Sequence, residues 1–343
     1  MTTEESNDDH LPLVSVAFLA YNRREELLVS LRNMVAASGY PREQLEVIVI
    51  DNASTDGTVD AVRSAFPSVR IIANDRNVGA PGWNRGFAAA RGDYVLILDD
   101  DAYLRPGGLE RAVRAAVAEH ADLVSFSVVS ASDEDHRLND DWQTGLLSYW
   151  GCAALVSAPA LRALGGYDPN IFIWANEVEF TMRLLDGGFR HLYLPDVYAI
   201  HMKKRIVEFD RRRYLVNARH HGYIAGKLMR GPDAAATVWH VAQQAVIDSL
   251  VHDPMAAAAA KEVLVGLAMG LRHRHPVRPV VSAAYRRNFR PFAAPWQFVR
   301  SPLQRVSPGR DRSTADRQRA DRHVRYFSER AVFYPPDQAS LQL

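Results

Sequence analysis

The residues best suited to chemistry are three consecutive acids, Asp99-Asp100-Asp101, directly after the apolar run YVLIL at 94–98. Adjacent carboxylates raise one another's pKa unless positive charge is supplied. A divalent cation supplies it, and oxygen ligands suit Mg²⁺ or Mn²⁺, which keep waters or phosphate oxygens as further ligands. For an isolated acid triplet a solvated turn would be the plainer explanation. Here two other apolar runs also end in polar groups: LVSVAFL (13–19) leads to Tyr21-Asn22, and LEVIVI (45–50) to Asp51-Asn52.

The elements that must position these groups read as strand, helix, strand, helix. LEVIVI is nearly continuous and β-branched, as in a strand buried on both faces. Residues 69–73 give a third strand and 94–98 a fourth, with helical stretches at 23–37 and 82–90 and a helix opened by Ser54 or Asp56. This spacing predicts right-handed βαβ units and a parallel sheet, with ligands at the carboxyl ends of the strands. A helix to about 120, a strand at 123–129, a surface loop at 130–144, a strand at 149–156 and a helix at 159–164 follow. Then come a helix at 177–185 and two short strands, 191–194 and 197–201, split by Pro195. Helices are expected at 211–229, 233–253 and 256–271. The last 70 residues mix Pro, Arg and aromatics without an assignable period.

Several side chains have two readings. Asp51 suits a base N–H or a ribose hydroxyl, but also the cap of the next helix. Tyr21 suits stacking on a base, or packing. The Gly-rich stretch 77–86 opens a helix and admits close approach of a ligand. Arg85 within it suits a phosphate or a surface salt bridge.

The runs VSVAFLAYNR, VIVIDNASTDGT and NDRNVGAPGWNRGFAAARGDYVLILDDDA, followed by GCAALVSAPALRALGGYDPNIFIWANEVEFTMRLLDGGFRHLYLPDVYAIH, resemble glycosyltransferase family 2 over about residues 13–201. The resemblance implies an α/β GT-A fold: a Rossmann-like nucleotide-binding mixed sheet flanked by helices, here with a helical C-terminal extension. The division expected is a disordered tail at 1–12, a catalytic domain at 13–210 and a mainly helical, Arg-rich region at 211–343. The resemblance also implies metal-dependent, inverting transfer of a sugar from a nucleotide diphosphate, UDP or dTDP being expected, to a polysaccharide, lipid-linked or natural-product acceptor. The donor-binding residues expected are Tyr21, Asn22, Asp51, Asn77, Gly79, Asn84, Arg85, Asp99 and Asp100. Asp101 and His201 are the expected ligands of Mg²⁺ or Mn²⁺. Where relatives often read Gly-Glu-Asp-Val-Glu-Phe, this chain has Asn176-Glu177 in place of the acid pair. Glu177 therefore takes the position of the catalytic base, with Glu179 as the alternative.

Two rival functions are weighed by the same residues. A sugar nucleotidyltransferase would show a Gly-rich basic loop after the first strand, where this chain has AYNRREE. A non-catalytic nucleotide-sugar binder is kept open by the altered Asn176-Glu177 pair.

Composition narrows the setting. Of 343 residues, 48% are hydrophobic and 24% charged, which excludes a disordered or collagen-like chain. The single cysteine, Cys152, excludes an internal disulfide. No apolar run is long enough to span a bilayer, and the first ten residues are acidic and polar, unlike a secretory signal. A cytoplasmic protein is expected. The net charge of +1 conceals two halves: residues 271–343 carry 15 Arg, no Lys and five acids, a net of +10. This basic region, including Arg286, Arg287 and Arg290, either folds onto the acidic body or contacts the inner membrane face. Nucleic acid is not an expected partner; contact between copies is.

Overall fold

The computed structural model describes residues 11–36, 38–131, 133–137, 147–202, 211–251 and 255–288. The expected tail at 1–12 lies almost wholly outside them, and so does most of the basic region beyond 288. The chain divides into two units. One holds Met1–Asn139, Trp150–Pro169 and Phe189–Lys204; the other holds Asp140–Tyr149, Asn170–Gly188 and Arg205–Leu343.

The first unit is built on a nine-stranded sheet. Its parallel half consists of β1 (Val14–Ala20), β2 (Leu45–Asp51), β3 (Arg70–Ala73) and β4 (Tyr94–Asp99), in the order β3-β2-β1-β4. β1 reads VSVAFLA, apolar but for Ser15, and its burial is nearly complete. The connecting helices are α1 (Arg24–Ala36), α2 (Thr58–Ala65) and α3 (Trp83–Ala89). Asp56 accepts from the Thr58 amide at the start of α2 and from the Arg24 amide at the start of α1, so one carboxylate serves two helix ends.

The sheet then becomes mixed. The remaining elements are β5 (Ala102–Leu104), α4 (Gly108–Ala118), β6 (Leu123–Ser130), β7 (Asp133–Arg137), β8 (Ala153–Ser157), α5 (Ala158–Leu164) and β9 (His191–His201). β8 lies antiparallel between β4 and β6, β9 runs parallel to β6, and β5 closes that edge antiparallel to β9. Three expectations change. Residues 191–201 form one strand rather than two, because Pro195 is absorbed by a register shift opposite Phe126 and Ser127. The stretch read as a surface loop contains β7, and its residues 138–144 lie outside the described set. β8 starts at Ala153, four residues later than expected.

The second unit is helical: α6 (Asn176–Asp186), α7 (Arg211–Leu228), α8 (Gly231–Val251), α9 (Ala256–Arg272) and α10 (Pro279–Asn288). α7 and α9 pack backbone to backbone. Gly222 and Gly226 on α7 and Gly266 and Gly270 on α9 face one another. A methyl group at Gly266 would overlap the Arg219 carbonyl, and one at Gly270 the Tyr223 carbonyl. Tyr214, Ala218, Val241, Ala245, Met255, Ala259 and Val263 join α7, α8 and α9 in one apolar cluster. Among the described residues no helix is long and apolar enough to cross a membrane.

Two consequences for stability follow. Gly266→Ala forces the α7–α9 pair apart and lowers unfolding free energy by about 2 kcal/mol, outweighing alanine's ~1 kcal/mol helix preference; denaturant titration reads the loss. His221 is buried, and burial, with His220 and His240 nearby, pushes its ring down to about 3. Below the unfolded-state value of ~6.5 the unfolded chain binds a proton that the folded one refuses, so stability falls with pH. Between pH 7 and 5 the loss is roughly 2 kcal/mol, and His221→Gln removes that much of the pH dependence.

Candidate active site

Strand register places the first group of functional side chains. Leu19 of β1 lies between Ile50 of β2 and Asp99 of β4, and Ala20 pairs with Asp51. The chain therefore leaves β1 as Tyr21-Asn22-Arg23 between two acidic strand ends. Tyr21 is 45% exposed. Asp51 and Asn52 are buried.

Asn52 is a hub that sequence reasoning passed over as a mere polar strand end. Its side-chain amide donates to Asn77 Oδ1 (2.9 Å) and to the Gly79 carbonyl (3.1 Å), and its oxygen accepts from Asn74 Nδ2 (3.0 Å). Gly79 adopts φ 70° and ψ −150°, a conformation essentially closed to residues with a Cβ. Asn52 and Asn77 thus hold the Gly-rich loop in shape. Asn84 exchanges two bonds of 2.8 Å with the backbone of Tyr167, and Arg85 donates to the Ala73 carbonyl and to Asn74 Oδ1. The side chains of Asn77, Asn84 and Arg85, expected as donor contacts, each make hydrogen bonds within the fold. Asn22 likewise ties two loops: its backbone N–H donates to Ser54 Oγ and its side-chain oxygen accepts from the Thr55 amide.

Asp51 differs. Its Oδ2 accepts from the Ser54 amide at 3.1 Å. Its Oδ1 is buried and has no hydrogen-bond partner among the described residues. An orphaned buried acceptor costs about 1–3 kcal/mol, a cost that a ligand donor would relieve.

The acid triplet splits by direction. Asp99, Asp101 and His201 offer ligand atoms that all lie within 4.8 Å of one another. His201 Nε2 is 3.2 Å from Asp101 Oδ1 and 3.9 Å from Asp99 Oδ2. The cause is the β5–β9 ladder: Ala102 pairs with His201, and the Met202 amide donates to the Asp101 carbonyl at 2.8 Å. Two carboxylates and one imidazole, with Asp101 and His201 nearly buried, make a donor set that fits Mn²⁺ or Mg²⁺. Asp100 turns the other way. Its Oδ2 accepts from the Tyr21 amide (3.1 Å) and its Oδ1 from Arg23 Nη1 (3.1 Å). Burial raises this carboxyl to about 6, against the opposing effects of Arg23 and the Tyr21 amide. Asp100, expected as a donor contact, ties Tyr21 and Arg23 to the strand end.

Glu177 belongs to the helical unit and is half-buried in the first turn of α6. Burial pushes its carboxyl up to about 7; its own amide, the Asn176 side chain and Arg213 pull the other way. The turn before it is strained: Trp174 and Ala175 have φ 57° and 64°, a left-handed pair without glycine. α7 holds it, with His220 Nδ1 3.1 Å from the Trp174 carbonyl and the Arg213 guanidinium 5.2 Å from the centre of the Trp174 ring. Glu179, the alternative base, is fully buried. Arg183 binds both of its oxygens (2.8 and 2.7 Å) and Lys227 one (2.7 Å). Glu179 thus sits in a buried ion-pair cluster, which Glu177 does not share.

Ala175→Gly removes the strain at one of the two left-handed residues. Stability rises by about 1 kcal/mol in denaturant titration, glycine's greater unfolded-state freedom being the smaller effect.

Residues 15–164 match the family profile "Glycosyl transferase family 2". Among curated relatives, the chain is 27% identical over 221 residues to "Glycosyltransferase AglE" of Haloferax volcanii, covering 60% of this chain and 72% of that protein. It is 31% identical over 157 residues to "Succinoglycan biosynthesis protein ExoO" of Rhizobium meliloti, covering 45% and 44%. It is 24% identical over 261 residues to "N-acetylglucosaminyl-diphospho-decaprenol L-rhamnosyltransferase" of Mycobacterium tuberculosis, covering 62% and 82%. Its fold is that of a Pyrobaculum calidifontis mannosyltransferase solved with GDP-Man and Mn²⁺, at TM-score 0.54 and 21% identity over 88% of this chain and 82% of that one. GalNAc-T7, solved with UDP, GalNAc and Mn²⁺, aligns at TM-score 0.55 and 14% identity, over 74% and 55%. Three polar strand ends converge in the first unit, an acidic pair there is answered by a histidine, and residues 15–164 carry the match to glycosyltransferase family 2, so the chain is similar to enzymes of that class.

Proposed function

We propose that this enzyme transfers a sugar from a UDP- or dTDP-sugar, with inversion and with the help of a divalent cation, to a hydroxyl of a lipid-linked or polysaccharide acceptor. The observation that carries the reading is the grouping of Asp99, Asp101 and His201 beside the ends of β1 and β2. The orphaned Asp51 Oδ1 supports a nucleoside there, since a base N–H or ribose hydroxyl supplies the missing donor. Exposed Tyr21 offers a ring for the same nucleoside. The relatives named for succinoglycan biosynthesis and for a diphospho-decaprenol substrate support the acceptor class.

In this reading Asp101 and His201, with Asp99 beside them, would hold Mg²⁺ or Mn²⁺, which would supply positive charge for the departing diphosphate. Asp51 fixes the nucleoside. Glu177 accepts the proton of the acceptor hydroxyl as that oxygen bonds to the anomeric carbon. The bond from that carbon to the diphosphate oxygen breaks, and its electron pair leaves with the nucleoside diphosphate. A carboxyl raised to about 7 is a better proton acceptor than an ordinary glutamate, provided the pH keeps it ionised.

The activity therefore rises with pH through about 7, because the ionised form is the competent one. Glu177→Gln lowers kcat by about 10²-fold or more while the Kd for UDP changes less than threefold; unchanged kcat would remove the base role. Asp51→Asn keeps the bond from the Ser54 amide yet weakens UDP binding by about tenfold, read by calorimetry.

A further inference from the structure

We propose that Arg23 makes cation binding conditional on the diphosphate: its charge holds off a free divalent ion and favours the ion only when it arrives with a nucleoside diphosphate. The inference rests on the reading above and concerns a residue that reading leaves without a role.

The geometry is local to the end of β1. Arg23 Nη1 lies 2.7 Å from Asp101 Oδ2 and 3.1 Å from Asp100 Oδ1. Asp101 is thereby divided: one oxygen is held by the guanidinium, and the other lies 3.2 Å from His201 Nε2. The guanidinium sits one carboxylate away from the atoms that would bind the ion. Three acids and one arginine leave a net charge of −2 at the strand end, where the acids alone would give −3. A unit charge at such a distance changes the affinity for a doubly charged ion by about tenfold or more, even with substantial screening. Orientation works the other way, since loss of Arg23 frees the Asp101 rotamer, but releasing one side-chain torsion is the smaller effect.

Asp100 and Asp101 are nearly fully buried, whereas the Arg23 side chain is 39% exposed. The arginine therefore faces solvent at the edge of the site, open to an incoming anion. A diphosphate brings negative charge that offsets the guanidinium and adds oxygen ligands. The consequence is coupling between the two ligands, which by linkage must be equal in both directions.

The test measures Mn²⁺ binding by electron paramagnetic resonance, with and without UDP and, in a second arm, GDP. For the full-length wild type, weak Mn²⁺ binding alone and binding at least tenfold tighter with nucleotide are expected. Arg23→Gln should bind Mn²⁺ alone about tenfold more tightly than wild type, with the coupling reduced toward one. Arg23→Lys should restore the coupling. In the double variant Arg23→Gln/Asp100→Asn the charge returns to −2, and weak binding of Mn²⁺ alone should return with it. Circular dichroism and the melting temperature confirm that each variant is folded. If Arg23→Gln binds Mn²⁺ no more tightly than wild type, or keeps the full coupling, the proposal is overturned while the glycosyltransfer reading stands. If wild type binds no Mn²⁺ with either nucleotide, the metal-dependent reading itself fails.

Discussion

Register between two short stretches of backbone decides whether the acidic residues can act together. Asp99 ends β4, Asp101 precedes β5, and His201 comes a hundred residues later at the end of β9. Only the antiparallel pairing of Ala102 with His201 brings the imidazole to within 3.2 Å of Asp101. A slip of one residue would point the histidine to the opposite face of the sheet. The slip is prevented along the whole length of β9, which pairs with β6 on one side and β5 on the other. The three-residue β5 contributes little stability, yet it fixes the donor set for a cation.

Hydrogen bonds within the fold hold much of what surrounds the strand ends. Asn52, Asn77, Asn84 and Arg85 spend their hydrogen bonds on neighbouring loops and backbone, and Asp100 spends its own on Tyr21 and Arg23. Asp51 is the exception, with a buried oxygen left over. In the helical unit, the close α7–α9 pair carries His220 and Arg213, and these hold the strained Trp174-Ala175 turn from which α6 and Glu177 begin. Strain of this sort persists only where surrounding contacts over-determine it, and such places are commonly functional.

The parallel half of the sheet was legible because β1, β2 and β4 are apolar runs buried on both faces, and their polar ends stand out against them. His201 and Glu177 were reached through the family resemblance, and their surroundings were not visible. A three-residue strand such as β5 has too few positions to show a period, and α10 begins at a proline within an Arg-rich tract. The Gly-rich stretch 77–86 signalled close approach without naming what approaches; within the fold, Asn52 is one side chain that does. The glycines at 222, 226, 266 and 270 recur at a four-residue spacing, a signal for close helix packing that was there to be read.

Asp101 and His201, with Asp99 beside them, are proposed to hold a cation next to the donor's diphosphate. Crystals grown with UDP and Mn²⁺, with diffraction data collected at the manganese absorption edge, test it most directly. An anomalous peak in contact with all of Asp101, His201 and a phosphate oxygen is the predicted result. A nucleotide bound at Asp51 with no anomalous peak at these residues, or with manganese ligated elsewhere, would contradict it.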